Sequence, residues 1–213
     1  ETYMDKIATG NIEKGLIDLD FPLKKNISNL AEFMNRDISS ITACVMDRPR
    51  HRKIINELKR GGNLIFIRHA YAPGGGDPKN FDINDCKTQR NLSNSGRDQA
   101  KKIGFYFKEN NIPIGKVYSS EWCRCKETAS IAFNDFETKS FLNSFFSSQF
   151  AKNRDPQMKK LKKFVSNWNE DKNLVFVTHY VVISESLNYA PSSGEIVISN
   201  KDFKVIDTIE IEY

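Results

Sequence analysis

Four residues, far apart in the chain, have the side chains that handle an oxyanion: Arg68, His69, Arg124 and His179. Arginine presents a rigid fork of N–H donors that matches phosphate bidentately, and it stays charged at any working pH. A neutral histidine can attack phosphorus and form a covalent phosphohistidine, splitting a hydrolysis into two easier steps. A second histidine, held protonated by the anion, and the two arginines would then stabilise the equatorial oxygens. In this reading His69 is the nucleophile and all four residues bind the phosphoryl group. The guanidinium groups supply the positive charge, so no metal or other cofactor is expected.

Such a site requires the four to converge, and the flanking sequence supplies the means. Residues 63–67 are an apolar run after Gly61-Gly62 that stops on Arg68-His69; residues 173–177 are another, stopping on Thr178-His179. Both predict buried strands. A third short strand, residues 116–119, feeds a helix opening at Glu121, with Arg124 in its first turn. The carboxyl ends of neighbouring parallel strands are where open α/β sheets place their ligands. A helix amino terminus adds backbone N–H groups and a favourable dipole.

The remaining elements complete the scaffold. Asp47-Arg48-Pro49-Arg50-His51 predicts a helix start, with Ile54, Ile55 and Leu58 inward and Gly61-Gly62 as its end. Ser93 caps a helix over residues 95–108 with Ala100, Ile103 and Phe107 on one face. Trp122, Cys125, Ala129 and Ala132 mark the next, and Asp155-Pro156 caps a fourth with Met158, Leu161, Val165 and Trp168 inward. Residues 180–187 start a further helix; residues 194–199 and 203–211 close the chain as two strands. The alternation predicts an α/β fold: a mostly parallel central sheet with helices on both faces and an antiparallel edge. Residues 1–47, with helical spacing at Ile27, Leu30, Ala31 and Met34, are expected to be an extension packing on a catalytic domain over residues 48–213.

Two loops invite a functional reading. Gly74-Gly75-Gly76 could bring backbone amides to a phosphate or act as a flexible lid, and lacks the lysine of a P-loop. Phe136, Phe141, Phe145, Phe146 and Phe150 form either a satellite core or the wall of a substrate pocket. His51, among charged neighbours, is expected at the surface or in a cap.

Composition narrows the partners. A chain of 213 residues with 39% hydrophobic residues can bury a substantial core. A net charge of +5 suits a small anionic ligand. The clustered basic face of a nucleic-acid binder is missing, since the lysines of residues 159–163 read as the solvated side of an amphipathic helix. No stretch approaches the ~20 apolar residues of a membrane span. The first residue is Glu1, and no signal-like apolar segment follows, which fits a processed or a trimmed chain. Cys44, Cys86, Cys123 and Cys125 lack zinc-site spacing; they are disulfide partners if the protein is exported, or buried small residues. Oligomeric state leaves no trace in the sequence.

Together these segments resemble the histidine phosphatase superfamily, also called phosphoglycerate-mutase-like. Arg68-His69-Ala70 looks like its R-H-G/A signature, and Leu92-Ser93-Asn94-Ser95-Gly96-Arg97-Asp98-Gln99-Ala100 its L-[ST]-x-x-G-x-x-Q-A helix start. Ser119-Ser120-Glu121-Trp122-Cys123-Arg124-Cys125-Lys126-Glu127-Thr128-Ala129 is similar to its S-S-x-x-x-R-x-x-x-T-A segment, and Val177-Thr178-His179 to its second histidine. D-R-P-R-H, G-G-D-P, C-x-T-Q-R-N-L-S and S-S-E-W-C-R-C segments, from Asp47, Gly75, Cys86 and Ser119, resemble a small bacterial branch whose members often look exported. The resemblance implies phosphomonoester hydrolysis through phospho-His69 on a phosphorylated small molecule, with an exported or periplasmic location favoured over a cytoplasmic one. The mutase branch carries a glutamate proton donor; Glu121 is the nearest counterpart, with Asp135, Glu137 and Asp155 as alternatives. Two other readings are a phosphoryl-transferring mutase and a phosphate-binding pseudoenzyme.

Overall fold

The computed structural model describes residues 48–213. The extension expected over residues 1–47, with Cys44, lies outside the described residues. Among the described residues a six-stranded sheet runs in the order β3-β2-β4-β1-β5-β6. Its strands are β1 (Leu64–Arg68), β2 (Ile114–Ser119), β3 (Glu137–Thr138), β4 (Asn173–Thr178), β5 (Ile196–Ser199) and β6 (Val205–Ile209). The pairs β1–β4, β4–β2 and β2–β3 are parallel. Strand β5 runs antiparallel to β1, and β6 antiparallel to β5. The expected parallel sheet with an antiparallel edge is what forms.

Five helices among the described residues cover the sheet: α1 (Arg48–Arg60), α2 (Asn94–Glu109), α3 (Cys123–Phe133), α4 (Arg154–Ser166) and α5 (Tyr180–Leu187). The twofold period of the strands sorts their side chains into two cores. On one face Ile65, Ile67, Val175 and Val177 pack with Ile54 and Leu58 of α1, Ile103 and Phe107 of α2, and Ala129 of α3. On the other, Leu64, Phe66, Leu174 and Phe176 pack with Leu161 and Val165 of α4 and Ile183 of α5. Coverage on both sides is why β1 and β4 are unbroken apolar runs rather than alternating ones.

Helix boundaries follow from capping. The Ser93 hydroxyl accepts from the Gly96 amide and starts α2, as its residue type predicts. Helix α3 opens at Cys123 rather than at Glu121, because the Glu121 amide donates to Asn143 Oδ1 and Trp122, in extended backbone, takes the cap position. Asp155 proves to lie inside the first turn of α4, behind Asn153, and caps nothing. Met158, Leu161, Val165 and Trp168 do turn inward, and the lysines of residues 159–163 are exposed. His51 is exposed, edge-on to Tyr106.

Register brings the chemistry to one edge of the sheet. Arg68 of β1 lies beside Thr178 of β4, and Ser119 of β2 beside Val177 of β4. Three adjacent parallel strands therefore end together, with His69, Ser120 and His179 as the residues that leave them. A disulfide joins Cys86 to Cys123, so the long loop after β1 is tied to the start of α3. Cys125 is buried as a free thiol.

Candidate active site

His69, 2% exposed, is fixed through its backbone and its ring. Its amide donates to Thr178 O at 2.9 Å, and its Nδ1 lies 2.9 Å from Ala70 O. A carbonyl can only accept, so Nδ1 carries the proton and Nε2 presents a lone pair. Arg124 Nε lies 3.2 Å from that Nε2 and donates to it, consistent with this tautomer. The His69 and His179 rings meet edge to face, 5.5 Å between centroids. The four residues expected to form the site are thus together: Arg68 leads directly into His69, and Arg124 and His179 pack beside it.

One carboxylate, that of Asp77, bonds to the guanidinium groups of the site. Arg124 is buried and bonded to Asp77, at 2.7 Å from Nη1 and 3.2 Å from Nη2. Arg68 Nη1 donates to Pro191 O at 2.8 Å, while its Nε is buried with no partner. A third arginine, Arg90, joins them: its Nη1 donates to Gly74 O at 3.1 Å and to Ala72 O, and its Nε is also buried without a partner. Buried N–H groups are almost always satisfied. Arg68 and Arg90 thus each hold one buried N–H donor that an anion could take.

Electrostatics agree. Burial, then Arg124, then Arg90 and Arg68 hold the His69 imidazole well below its ordinary range, against the Ala70 carbonyl. Burial, Arg124 and His69 do the same to His179. Both are neutral in the pocket without an anion, as a nucleophile must be. An unfolded histidine takes up a proton below about pH 6.5 and the folded one does not, so stability is lost as pH falls through that value. A dianion in the pocket reverses the balance and lets a proton enter. Sulfate, which does not titrate here, is expected to bind up to about tenfold tighter per unit of pH decrease between 7.5 and 5.5. Calorimetry checks this, and an affinity flat with pH counts against it.

His179 is held from the other side. Its Nε2 is 2.8 Å from Ser120 Oγ, which donates to Asn143 Oδ1 at 3.1 Å. Asn143 Nδ2 in turn donates to Glu121 Oε2 at 2.5 Å. Glu121 is therefore half-buried at the end of a polar chain that begins on His179. Asp135, Glu137 and Asp155 are exposed, and Glu137 pairs with Lys139. Cys125 Sγ lies 3.5 Å from His179 Nε2, its thiol pushed up to about 12, chiefly by burial, and is inert packing.

The residues around Gly96 and Thr128 hold the first turn of the loop. A Cβ on Gly96 would sit 2.0 Å from Tyr71 O, so α2 approaches the loop at bare backbone. Gln99 Oε1 accepts from the Tyr71 amide at 2.8 Å, and Thr128 Oγ1 accepts from the Ala70 amide at 3.0 Å while donating to Arg124 O. The first amide of α3, that of Cys123, donates to Gln89 Oε1. The triglycine lies exposed, and what this loop delivers to the site is the Asp77 carboxylate.

Asp77, Arg90, Ser120 and Thr128 are not singled out by residue type or periodicity. Each nevertheless falls within a segment quoted for the resemblance: G-G-D-P, C-x-T-Q-R-N-L-S and S-S-x-x-x-R-x-x-x-T-A. Beside them the two loops expected to bear specificity meet in a cavity of about 670 Å³, with Phe81 and Ile83 on one side and Phe141 and Phe150 on the other. Phe146 is 70% exposed and stands apart, whereas Phe141 and Phe145 are core.

Residues 64–144 match the family model of the histidine phosphatase superfamily, branch 1. Residues 1–70 match that of the bacterial, glpX-encoded fructose-1,6-bisphosphatase, and Asp47-Arg48-Pro49-Arg50-His51 lies within this first match and outside the second. A D-fructose 1,6-bisphosphatase class 2/sedoheptulose 1,7-bisphosphatase of Synechococcus sp. (strain JA-2-3B'a(2-13)) is 39% identical over 67 residues, 32% of this chain and 19% of that protein. Fructose-1,6-bisphosphatase 1 class 2 of Escherichia coli (strain K12) is 35% identical over 66 residues, 31% of this chain and 20% of that one. The chain thus spans about a fifth of the length of the curated relatives it matches. Among solved structures, phosphoglycerate mutase from Thermus thermophilus superposes with a TM-score of 0.51 at 13% identity, over 70% of this chain and 99% of that one. The Rv3214 product of Mycobacterium tuberculosis does so at 0.50 and 16% identity, over 72% and 98%. At these identities the likeness is one of fold.

Proposed function

We propose that this chain, whose residues 64–144 match the histidine phosphatase superfamily, hydrolyses phosphomonoesters of small molecules through a phosphohistidine on His69. One observation carries this reading. His69 Nε2, freed by the Nδ1 bond to Ala70 O, faces Arg124 among arginines whose buried N–H groups have no partner. An arriving phosphoryl group would take those donors, and its charge would let His179 hold a proton toward it. His69 Nε2 bonds to phosphorus as the ester P–O bond breaks. The leaving oxygen takes a proton from the Glu121 carboxyl, and the Glu121 carboxylate then receives one from the water that attacks phospho-His69. That attack breaks the P–N bond and returns neutral His69 and inorganic phosphate. Three arginines supply the charge stabilisation of the transition state. The cavity of about 670 Å³, which shares Trp122 and Asn143 with the site, is the proposed seat of the leaving group.

Rapid acid-free quenching of the protein with a radiolabelled phosphomonoester tests the proposal. Label that is stable in base, labile in acid and mapped to the peptide containing His69 is expected; turnover with no such label would refute the covalent route. Glu121→Gln makes a second test. With p-nitrophenyl phosphate, whose leaving group needs no proton, kcat should fall less than tenfold; with an alkyl phosphate it should fall about 10²–10⁴-fold. Equal effects on the two substrates would remove Glu121 from the role of acid.

A further inference from the structure

We propose that Asp77 is a positioning residue: from the glycine-rich loop, its carboxylate fixes the aim of the Arg124 guanidinium at His69. The inference rests on the phosphatase reading of this pocket. Asp77 Oδ1 accepts from Arg124 Nη1 at 2.7 Å and Oδ2 from Nη2 at 3.2 Å, so the carboxylate takes the far end of the guanidinium fork. The Nε edge is thereby left turned toward His69 Nε2, 3.2 Å away. Arginine has a long side chain with many rotamers, and its planar fork holds one direction only when something grips it.

Asp77 is itself gripped. Oδ1 also accepts from the Arg90 amide at 3.0 Å and Oδ2 from Trp122 Nε1 at 3.0 Å. Gly74 and Gly76, with φ of +89° and +77°, let the chain double back so that Asp77 reaches inward, and Arg90 Nη1 holds the Gly74 carbonyl at 3.1 Å. The pair is mostly out of water, with side-chain exposures of 4% for Arg124 and 17% for Asp77. Four N–H donors on one carboxylate leave it little room for a proton. Burial raises its acid range, but the bonds from Arg124, Arg90 and Trp122 outweigh this and hold it below the usual value. This is the chemistry of a clamp and not of a general acid.

A double-mutant cycle with p-nitrophenyl phosphate tests the inference, using Asp77→Asn, Arg124→Lys and both together, with Asp77→Glu for rescue. Asp77→Asn should lower kcat about 10–100-fold with a smaller rise in KM, since aim matters most in the transition state. Asp77→Glu should recover part of it. In the Arg124→Lys background, where no fork remains to be held, Asp77→Asn should change kcat less than about threefold. Additive losses would show that Asp77 acts elsewhere. Tighter binding of inorganic phosphate by Asp77→Asn, measured by calorimetry, would make the carboxylate a competing anion instead, and a loss confined to alkyl phosphates would make it an acid; either overturns the clamp. The cycle through Asp77→Glu gives the same answer if Asp77→Asn is too unstable to purify. Wild-type protein that neither binds phosphate nor turns over any phosphomonoester would sink the phosphatase reading, whereas active wild-type protein with an unchanged Asp77→Asn sinks this inference alone.

Discussion

His69→Ala is expected to lower kcat/KM for p-nitrophenyl phosphate by at least about 10⁴-fold and to abolish phosphate labelling. The arginines, His179 and the Asp77–Arg124 pair remain in this variant, so the substrate still finds its donors. What disappears is the atom that attacks phosphorus, and a water in its place has neither the nucleophilicity nor the orientation that the Ala70 carbonyl gives the ring. Stability should change far less. Truncation leaves a cavity and takes an acceptor from Arg124 Nε, but it also removes a ring crowded by three positive charges. A melting temperature within a few degrees of wild type, with activity near background, is the expected pair of results. Activity above about 1% of wild type would remove His69 from the role of nucleophile.

Gly96→Ala is expected to cost more stability than any other single-methyl change near the site. Helix propensity alone favours alanine by about 1 kcal/mol. Against that, the added Cβ would stand 2.0 Å from Tyr71 O, 2.9 Å from its carbonyl carbon and 3.2 Å from its nitrogen. Backbone cannot escape by changing rotamer, so α2 and the loop must part by about an ångström. That parting strains the Ser93 amide bond to Tyr71 O, at 3.2 Å, and the Tyr71 amide bond to Gln99, at 2.8 Å. Overpacking of about 1–3 kcal/mol plus roughly 1 kcal/mol for each weakened hydrogen bond exceeds the propensity gain. A net loss of about 2–4 kcal/mol lowers the melting temperature by at least roughly 4–8 °C for a chain of this size. Activity should fall too, because Tyr71 is two residues from His69. Asn94→Ala, exposed in the same turn, is the control expected to change neither.

The elements that carry the four oxyanion residues are legible in sequence because each has a local cause. A run such as Leu174 to Val177 can be nothing but a covered strand in a chain with these turns, and Ser93 announces α2 by its own hydroxyl. The antiparallel edge is legible for the same reason: two strands at the end of the chain with no helix between them can pair side by side. Asp77 and Arg90 have no such cause. They sit in irregular backbone, and their partner, Arg124, is 47 and 34 residues away, a distance over which no periodicity speaks. The ends of helices are read less well than their faces. Glu121 and Asp155 have the residue types that begin helices, but Asn143 claims the first through its amide, and the second is already inside the turn. Residues 1–47 offer a helical spacing and no set of residues that could do chemistry, whereas residues 1–70 match the family model of the glpX-encoded fructose-1,6-bisphosphatase.

The bond between Cys86 and Cys123 has a meaning for the chain before it folds. It closes a ring across a sequence separation of 37 residues, with Arg90 inside the ring and Arg124 one residue beyond it. Where the bond is formed, two of the three arginines stay near one another even in the denatured ensemble. The entropy of bringing them together, about 3–4 kcal/mol for a loop of this length, is then removed from the folding equilibrium. Three positive charges are unfavourable to gather around one carboxylate, that of Asp77. Part of the force that gathers them is covalent, so it does not depend on whether a ligand fills the pocket.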